Sequence, residues 1–284
     1  MASSQVINFR DKLYMIDCGE GTQVQMRHMR VKFSRLNHIF ISHLHGDHCF
    51  GLPGLISTFG MLGRTADLSI YGPKEIENYL IPILKQFNKG LPFKVNIYPV
   101  DTYKHTLVME DRSIKVYSIP LNHRIPACGY LFEEKQKEAH LIREMADFYQ
   151  IPVKFLRGIK QGDDYTTPEG EVIPNARLTR PSVPAKRYAY CSDTAFYPDM
   201  VPIIKGVDLL YHEATFTNAD LPRAKETFHS TATQAAEIAR MAEVKKLMIG
   251  HFSARYEDEI LLKEEADNIF PGTILAKEGL SLPV

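Results

Sequence analysis

Within ten residues the chain passes from an apolar strand to a knot of cation ligands. The run Ile39-Phe-Ile-Ser42 reads as a short strand. It ends directly in His43-Leu-His45-Gly-Asp47-His48, four potential ligands within six residues. Such a set cannot enter a core, because buried imidazole and carboxylate groups need partners. A solvated loop could carry it, but nothing structural calls for that concentration at the end of a strand. His and Asp form the ligand set of Zn²⁺ and similar cations, at about 2.0–2.2 Å. Gly46 is expected to give the backbone freedom to aim several side chains at one point.

One segment rarely completes a metal site, so further ligands are expected at the ends of other strands. His123 follows the strand read at 114–119, Asp193 follows 188–191, and His251 follows 245–249. Each alone has ordinary structural explanations. At strand ends, where sites of layered α/β proteins gather, they bring the total to seven groups, enough for two cations.

The remaining pattern is a mixture of strands and helices. A hairpin is predicted from 5–9 and 13–16 around Arg10-Asp11-Lys12, and a helix over 22–30. An apolar helix is predicted at 51–63, a strand at 68–71, and a helix at 74–88 interrupted by Pro82. Strands follow at 93–100, 106–109, 114–119 and 128–132. Residues 133–149 are charged and read as helical. Residues 154–187 carry four prolines and little apolar periodicity, so 133–187 reads as an inserted arm and not as a core layer. Within 154–187, seven basic residues (Lys154, Arg157, Lys160, Arg177, Arg180, Lys186 and Arg187) face four acidic ones. Strand–helix alternation then resumes, with strands at 188–191, 207–211, 245–249 and 273–275 and helices at 230–242 and 257–269. Ala235, Ile238, Ala239 and Ala242 form one apolar face, and Thr231-x-x-Gln234 is a capping box. The whole reads as one α/β domain, 1–284, with sheets flanked by helices.

Composition narrows the class. Across 284 residues, 34 Lys+Arg balance 34 Asp+Glu, which argues against a protein that coats nucleic acid by bulk charge. No apolar run is long enough to cross a bilayer, and residues 1–6 show no secretory signal. Cys18, Cys49, Cys128 and Cys191 are widely spaced and form no Cys-x-x-Cys, as expected of buried thiols in a reducing compartment. A cytoplasmic location is the resulting expectation.

The motif His43-x-His45-x-Asp47-His48, with single His123, Asp193 and His251 downstream, resembles the metallo-β-lactamase superfamily. Asp17-Cys-Gly-Glu-Gly-Thr-Gln23, Gly51-Leu-Pro-Gly54, His212-Glu-Ala-Thr215 and His229-Ser-Thr231 narrow the resemblance to the ribonuclease Z family of tRNA 3′-processing endonucleases. It runs from about residue 4 to 276 on these motifs. The resemblance implies a four-layer αβ/βα fold and two Zn²⁺ per subunit. His43, His45 and His123 would hold one ion, Asp47, His48 and His251 the other, with Asp193 bridging. It also implies that a metal-bridging hydroxide attacks phosphorus 3′ of the discriminator base of precursor tRNA, leaving a 3′-hydroxyl, and that Asp47 counts among the catalytic residues. The departing 3′ oxygen needs a proton. His229, two residues before the expected N-cap Thr231, suits this role, with Glu213 orienting it. The arm at 133–187 corresponds to the family's flexible exosite, which clamps the tRNA elbow, typically in a homodimer.

The family usually opens with a strand and a Pro-x-Lys-x-Arg-Asn stretch. Met1-Ala-Ser-Ser-Gln matches the segment after it, so about twenty N-terminal residues and the first strand are expected to be missing, leaving a sheet edge bare. Two other readings compete. One is a phosphodiesterase for small diesters or cyclic nucleotides, for which a long arm has no use. The other is a non-catalytic RNA- or metal-binding protein. A lactamase would have no evident purpose for His229 and Glu213.

Overall fold

The structure is a computed structural model and describes residues 2–284. The chain folds into two compact units, one of residues 1–111, 115–132 and 187–284, the other of 112–114 and 133–186.

The first unit carries two sheets. Strands β1 (Gln5–Phe9), β2 (Lys12–Ile16), β3 (Leu36–Phe40), β4 (Leu68–Pro73) and β5 (Val95–Val100) lie in chain order. β1 and β2 form the expected antiparallel hairpin, and every later pair is parallel. The parallel steps are bridged by helices α1 (Thr22–His28), α2 (Gly46–Cys49), α3 (Leu52–Met61) and α4 (Ile76–Phe87), as parallel pairing requires. The strands alternate. Leu13 and Met15 pack with Met26, Leu55, Phe59 and Leu80 of the helices, while Tyr14 and Phe40 point to the other face and meet Phe132. α4 runs through Pro82 without a break. The proline removes one backbone donor, and the helix absorbs that loss where an interruption was expected.

The second sheet adds β6 (Leu107–Glu110), β7 (Ile114–Pro120) and β8 (Cys128–Glu134). After the arm come β13 (Arg187–Cys191), β14 (Leu209–Glu213), β15 (Leu247–Gly250) and β16 (Ile274–Leu275), in the order β16-β15-β14-β13-β8-β7-β6. Short helix α8 (Val201–Ile204) precedes β14, and α9 (Leu221–Thr227) follows it. The outer face of the sheet packs Ala189, Cys191, Leu210 and Ile249 against the alanine-rich helix α10 (Ala232–Met241) and against α11 (Ile260–Asp267). Alanine lets a helix lie close to a sheet, and the predicted face of Ala235, Ile238, Ala239 and Ala242 is fully buried. Phe40 packs edge-on to Tyr130 and Phe132, joining the inner faces of the two sheets. Helix, sheet, sheet and helix give the four-layer arrangement expected of the metallo-β-lactamase fold.

The second unit holds β9 (His140–Leu141), α5 (Arg143–Phe148), α6 (Val153–Gln161), β10 (Tyr165–Thr166), β11 (Val172–Ile173), α7 (Asn175–Leu178) and β12 (Thr179–Arg180). One expectation is corrected. Residues 133–149 are not one helix. β8 continues to Glu134, β9 pairs with β12, and only 143–148 coil. The inserted arm is a unit with its own small core, in which Ala146, Ile151, Ile159, Tyr165, Ile173 and Leu178 bury one another. The periodicity was invisible because these apolar residues come from short elements and the turns between them, none long enough to repeat.

Candidate metal centre

Residues at the ends of strands in the first unit converge. His43 follows β3, and α2 begins at Gly46, carrying Asp47 and His48. Gly46 serves a different purpose from the one expected. Its backbone is helical, and a Cβ there would lie 2.5 Å from the Phe50 ring, so the glycine supplies room and not conformational freedom. His123 follows β7, Asp193 follows β13 and His251 follows β15 in the left-handed region, at φ 62°.

The seven side chains form two adjoining groups. In the first, His43 Nε2 lies 3.1 Å from His45 Nδ1, which lies 3.2 Å from His123 Nε2. Asp193 Oδ2 stands 3.5 Å from His43 and 3.9 Å from His123. In the second, His48 Nε2, His251 Nε2 and Asp47 Oδ2 are mutually 3.4 Å apart, and Asp193 Oδ1 is 3.3 Å from both imidazoles. Asp193 thus offers one oxygen to each group.

These residues fit a pair of zinc ions. Tetrahedral bonds of about 2.0–2.2 Å put neighbouring ligand atoms about 3.3–3.6 Å apart, close to the spacings observed. The outward nitrogens are already engaged. His43 Nδ1 faces Ser42 Oγ at 3.0 Å, His48 Nδ1 donates to Asp17 at 2.8 Å, His123 Nδ1 to the Phe228 carbonyl at 3.0 Å, and His251 Nδ1 meets Thr215 Oγ1 at 3.0 Å. With those nitrogens engaged, the other nitrogen of each ring faces inward, an arrangement that suits a cation between them.

The electrostatics agree. Burial pushes Asp47 and Asp193 upward, but the surrounding imidazoles outweigh it and hold both carboxyls well below their usual range. Burial lowers His123 to about 4 and also lowers His45, keeping both neutral and able to bind. Burial would lower His48 too, yet the Asp17 carboxylate, with the oxygens of Asp193 and Asp47, raises it well above the ordinary value, so Nε2 carries a proton that a bound cation would displace.

Glu213, at the end of β14, is fully buried and accepts from the backbone N–H groups of Thr194 and Thr215, from Thr215 Oγ1 and from His229 Nδ1, the last at 2.8 Å. Burial would raise Glu213, but His229 holds it low. In return Glu213 outweighs the burial that would lower His229 and raises it. The His229 ring lies 5.4 Å from that of His123 and 5.5 Å from that of His251. The pair therefore adjoins both groups, and His229 forms a third candidate ligand set with Asp193 and His251. Thr231 caps α10, with the full capping box to Gln234.

Two contributors were not singled out from the sequence. Asp17, in the left-handed region at φ 57°, accepts from Ser42 N and Oγ, His48 Nδ1 and Tyr190 O–H, which come from both sheets. Thr215 joins Glu213 to His251. Both lie in motifs that the resemblance used, but their roles arise only from contacts distant in sequence.

Comparisons with known proteins follow the same lines. The family model described as Anti-Pycsar protein Apyc1 matches residues 1–121, and the Beta-lactamase superfamily domain matches 177–252. Ribonuclease Z of Parabacteroides distasonis is 72% identical over 284 residues, covering 100% of this chain and 93% of the relative. Ribonuclease Z of Bacteroides thetaiotaomicron is 62% identical, covering 100% of this chain and 90% of that protein. Among solved structures, human tRNase Z, short form, superposes with a TM-score of 0.69 at 25% identity, covering 100% of this chain and 93% of the other.

Proposed function

Because the chain belongs to the ribonuclease Z family, we propose that it removes the 3′ trailer from precursor tRNA, cutting 3′ of the discriminator base and leaving a 3′-hydroxyl. It is an endoribonuclease, a phosphodiester hydrolase. The observation that carries the reading is the His229–Glu213 pair set against seven converging metal ligands.

His43, His45 and His123 would hold one Zn²⁺, Asp47, His48 and His251 the other, with Asp193 shared. When bound, the ions supply a water acidified to near neutral pH and offset the charge of the phosphate oxygens. The protein's own residues do the rest. Asp17, Ser42, Thr215 and the Phe228 carbonyl fix the ring orientations of the ligating histidines. Glu213 keeps His229 protonated and holds its Nδ1, leaving the Nε2 proton for the departing 3′ oxygen, whose expulsion as an alkoxide would be unfavourable. The four hydrogen bonds that Glu213 accepts keep it ionised beneath that proton.

The unit at 133–187 is the proposed contact with the tRNA elbow, its basic residues meeting the phosphate backbone. A homodimer in the cytoplasm is the proposed setting. Val24 on α1 and Met61 on α3, with Met29 and Leu62 just past the ends of these two helices, which pack on each other, stand exposed and offer an apolar surface for a second copy. Among the described residues no helix is long and apolar enough to cross a membrane.

The test is incubation with precursor tRNA, with and without a chelator, beside Asp47→Ala and His229→Ala. The unsubstituted enzyme should yield a trailer and a tRNA ending in a 3′-hydroxyl, and the chelator should stop the cut. His229→Ala should slow it by about 10²–10⁴-fold, the usual worth of a positioned acid. Full activity of Asp47→Ala would sink the mechanism. Turnover of a small diester with no cut in precursor tRNA would support the small-substrate phosphodiesterase instead.

A further inference from the structure

The geometry at Phe228 points to a base-stacking platform: we propose that its ring stacks on the discriminator base, that of the last nucleotide retained by the cut, the one whose 3′ oxygen departs. The inference rests on the tRNA-processing reading above.

Phe228 ends helix α9 in the left-handed region, at φ 59° and ψ 46°. The next N–H, that of His229, returns to the Ala224 carbonyl at 2.9 Å. This is a helix closure in which glycine is the favoured residue at the left-handed position, because a Cβ there is strained. A bulky aromatic in that conformation is an outlier, and such outliers gather where a side chain has a task.

The backbone requirement is plain. The turn aims the Phe228 carbonyl at His123 Nδ1 and delivers His229 to Glu213. Glycine would meet it without strain, so the turn does not explain the ring. Core packing does not explain it fully either, since Phe228 is 37% exposed. Among the described residues no aromatic ring pairs with it, whereas His123, Phe216 and His251 all pack around the neighbouring His229. An aromatic side chain therefore stands partly in solvent one residue from the proton donor.

The chemistry assigns its occupant. The proton on His229 goes to the 3′ oxygen of the last retained nucleotide, and Phe228, joined to His229 and bonded through its carbonyl to His123, borders the point where that oxygen departs. An aromatic face accepts any base, because every base has a π-face. This suits an enzyme that must take many tRNAs whatever base precedes the cut.

The test compares the unsubstituted enzyme, Phe228→Gly and Phe228→Tyr on precursor tRNA, and on the same RNA made abasic at the nucleotide 5′ of the cleaved bond. Phe228→Gly should raise KM for the intact RNA about ten-fold, within the range of one stacked base, while Phe228→Tyr stays within about two-fold of the unsubstituted enzyme. On abasic RNA the unsubstituted enzyme and Phe228→Gly should converge. The thermal midpoint of Phe228→Gly should not fall, since strain is relieved. Equal losses on both RNAs, or a fall in kcat with KM unchanged, would mean that the residue only places His229 and would overturn the proposal. A lowered midpoint would mean that the ring only packs, with the same consequence. If the unsubstituted enzyme cuts precursor tRNA and Phe228→Gly matches it on both RNAs, stacking alone fails. If the unsubstituted enzyme cuts none, the tRNA-processing reading fails and stacking falls with it.

Discussion

Asp17 shows how much a single buried residue can carry. It satisfies two groups of Ser42, the outward nitrogen of His48 and the hydroxyl of Tyr190. Asp17→Ala leaves four donors unpaired, each costing about 1–3 kcal/mol when buried. Asp17→Asn keeps the shape and tolerates the left-handed backbone, but it removes the charge behind His48. It should fold and bind zinc about 10–100-fold more weakly, as loss of a group behind a ligand typically does. A zinc titration with a competing chelator measures this, and unchanged affinity would count against Asp17 as an orienting group. Glu213→Gln tests the acid. His229 is raised because the charge and hydrogen bond of Glu213 outweigh burial. Without that charge His229 loses its proton at lower pH, so the alkaline limb of the cleavage profile should move to lower pH. A limb that does not move would place the titrating acid elsewhere.

At the scale of elements, α10 was readable before any coordinates, because its cap and its apolar stripe are local patterns. Thr231 Oγ1 accepts from Gln234 N, and the Gln234 side chain accepts from Thr231 N. Thr231→Ala should lower stability by about 1 kcal/mol in a urea titration. It should also slow cleavage, because the cap fixes the turn that carries His229. Strand β3 gives a pH prediction. His38 stacks on Tyr14 and Tyr71, and burial lowers its pKa against the opposing pull of Asp111. As pH falls through about 6.5 the unfolded chain takes up a proton that the folded one refuses, so His38 makes the fold less stable toward acid. The penalty levels off below the folded pKa. With chelator present throughout, His38→Gln should lose less stability than the unsubstituted protein between about pH 7.5 and 5 in urea midpoints, a window that brackets the imidazole pKa. An equal loss would remove His38 from the account. The second unit was the least legible, since strand pairs of two residues, such as β9 with β12, have no sequence period to read.

At the scale of the molecule, the candidate metal ligands come from the ends of β3, β7, β13 and β15 and from α2, and so from both sheets. Cations held there would staple together strands distant in sequence and stabilise the fold by mass action. Chelation should lower the thermal midpoint of the unsubstituted protein, and Asp193→Ala should respond less. Identical responses would argue against a shared carboxylate. The apolar surface of α1 and α3 belongs to the same scale. Met61→Asp with Val24→Asp should shift the sedimentation coefficient from dimer toward monomer, whereas an unsubstituted protein already monomeric at micromolar concentration would remove the dimer.

The candidate site was legible along the chain. A ligand run behind a strand, single ligands after three others, the His229 and Glu213 motifs and a capping box are local signals, each readable because chemistry or helix geometry demands particular residues at short spacing. Only the tertiary structure decided which nitrogen of each histidine faces inward and that Asp193 gives one oxygen to each group. It also decided that Gly46 makes room for Phe50, that the arm has a core of its own, and that Phe228 is held where glycine would be at ease. Those outcomes depend on groups distant along the chain meeting at contact distance, and no local pattern encodes such a meeting.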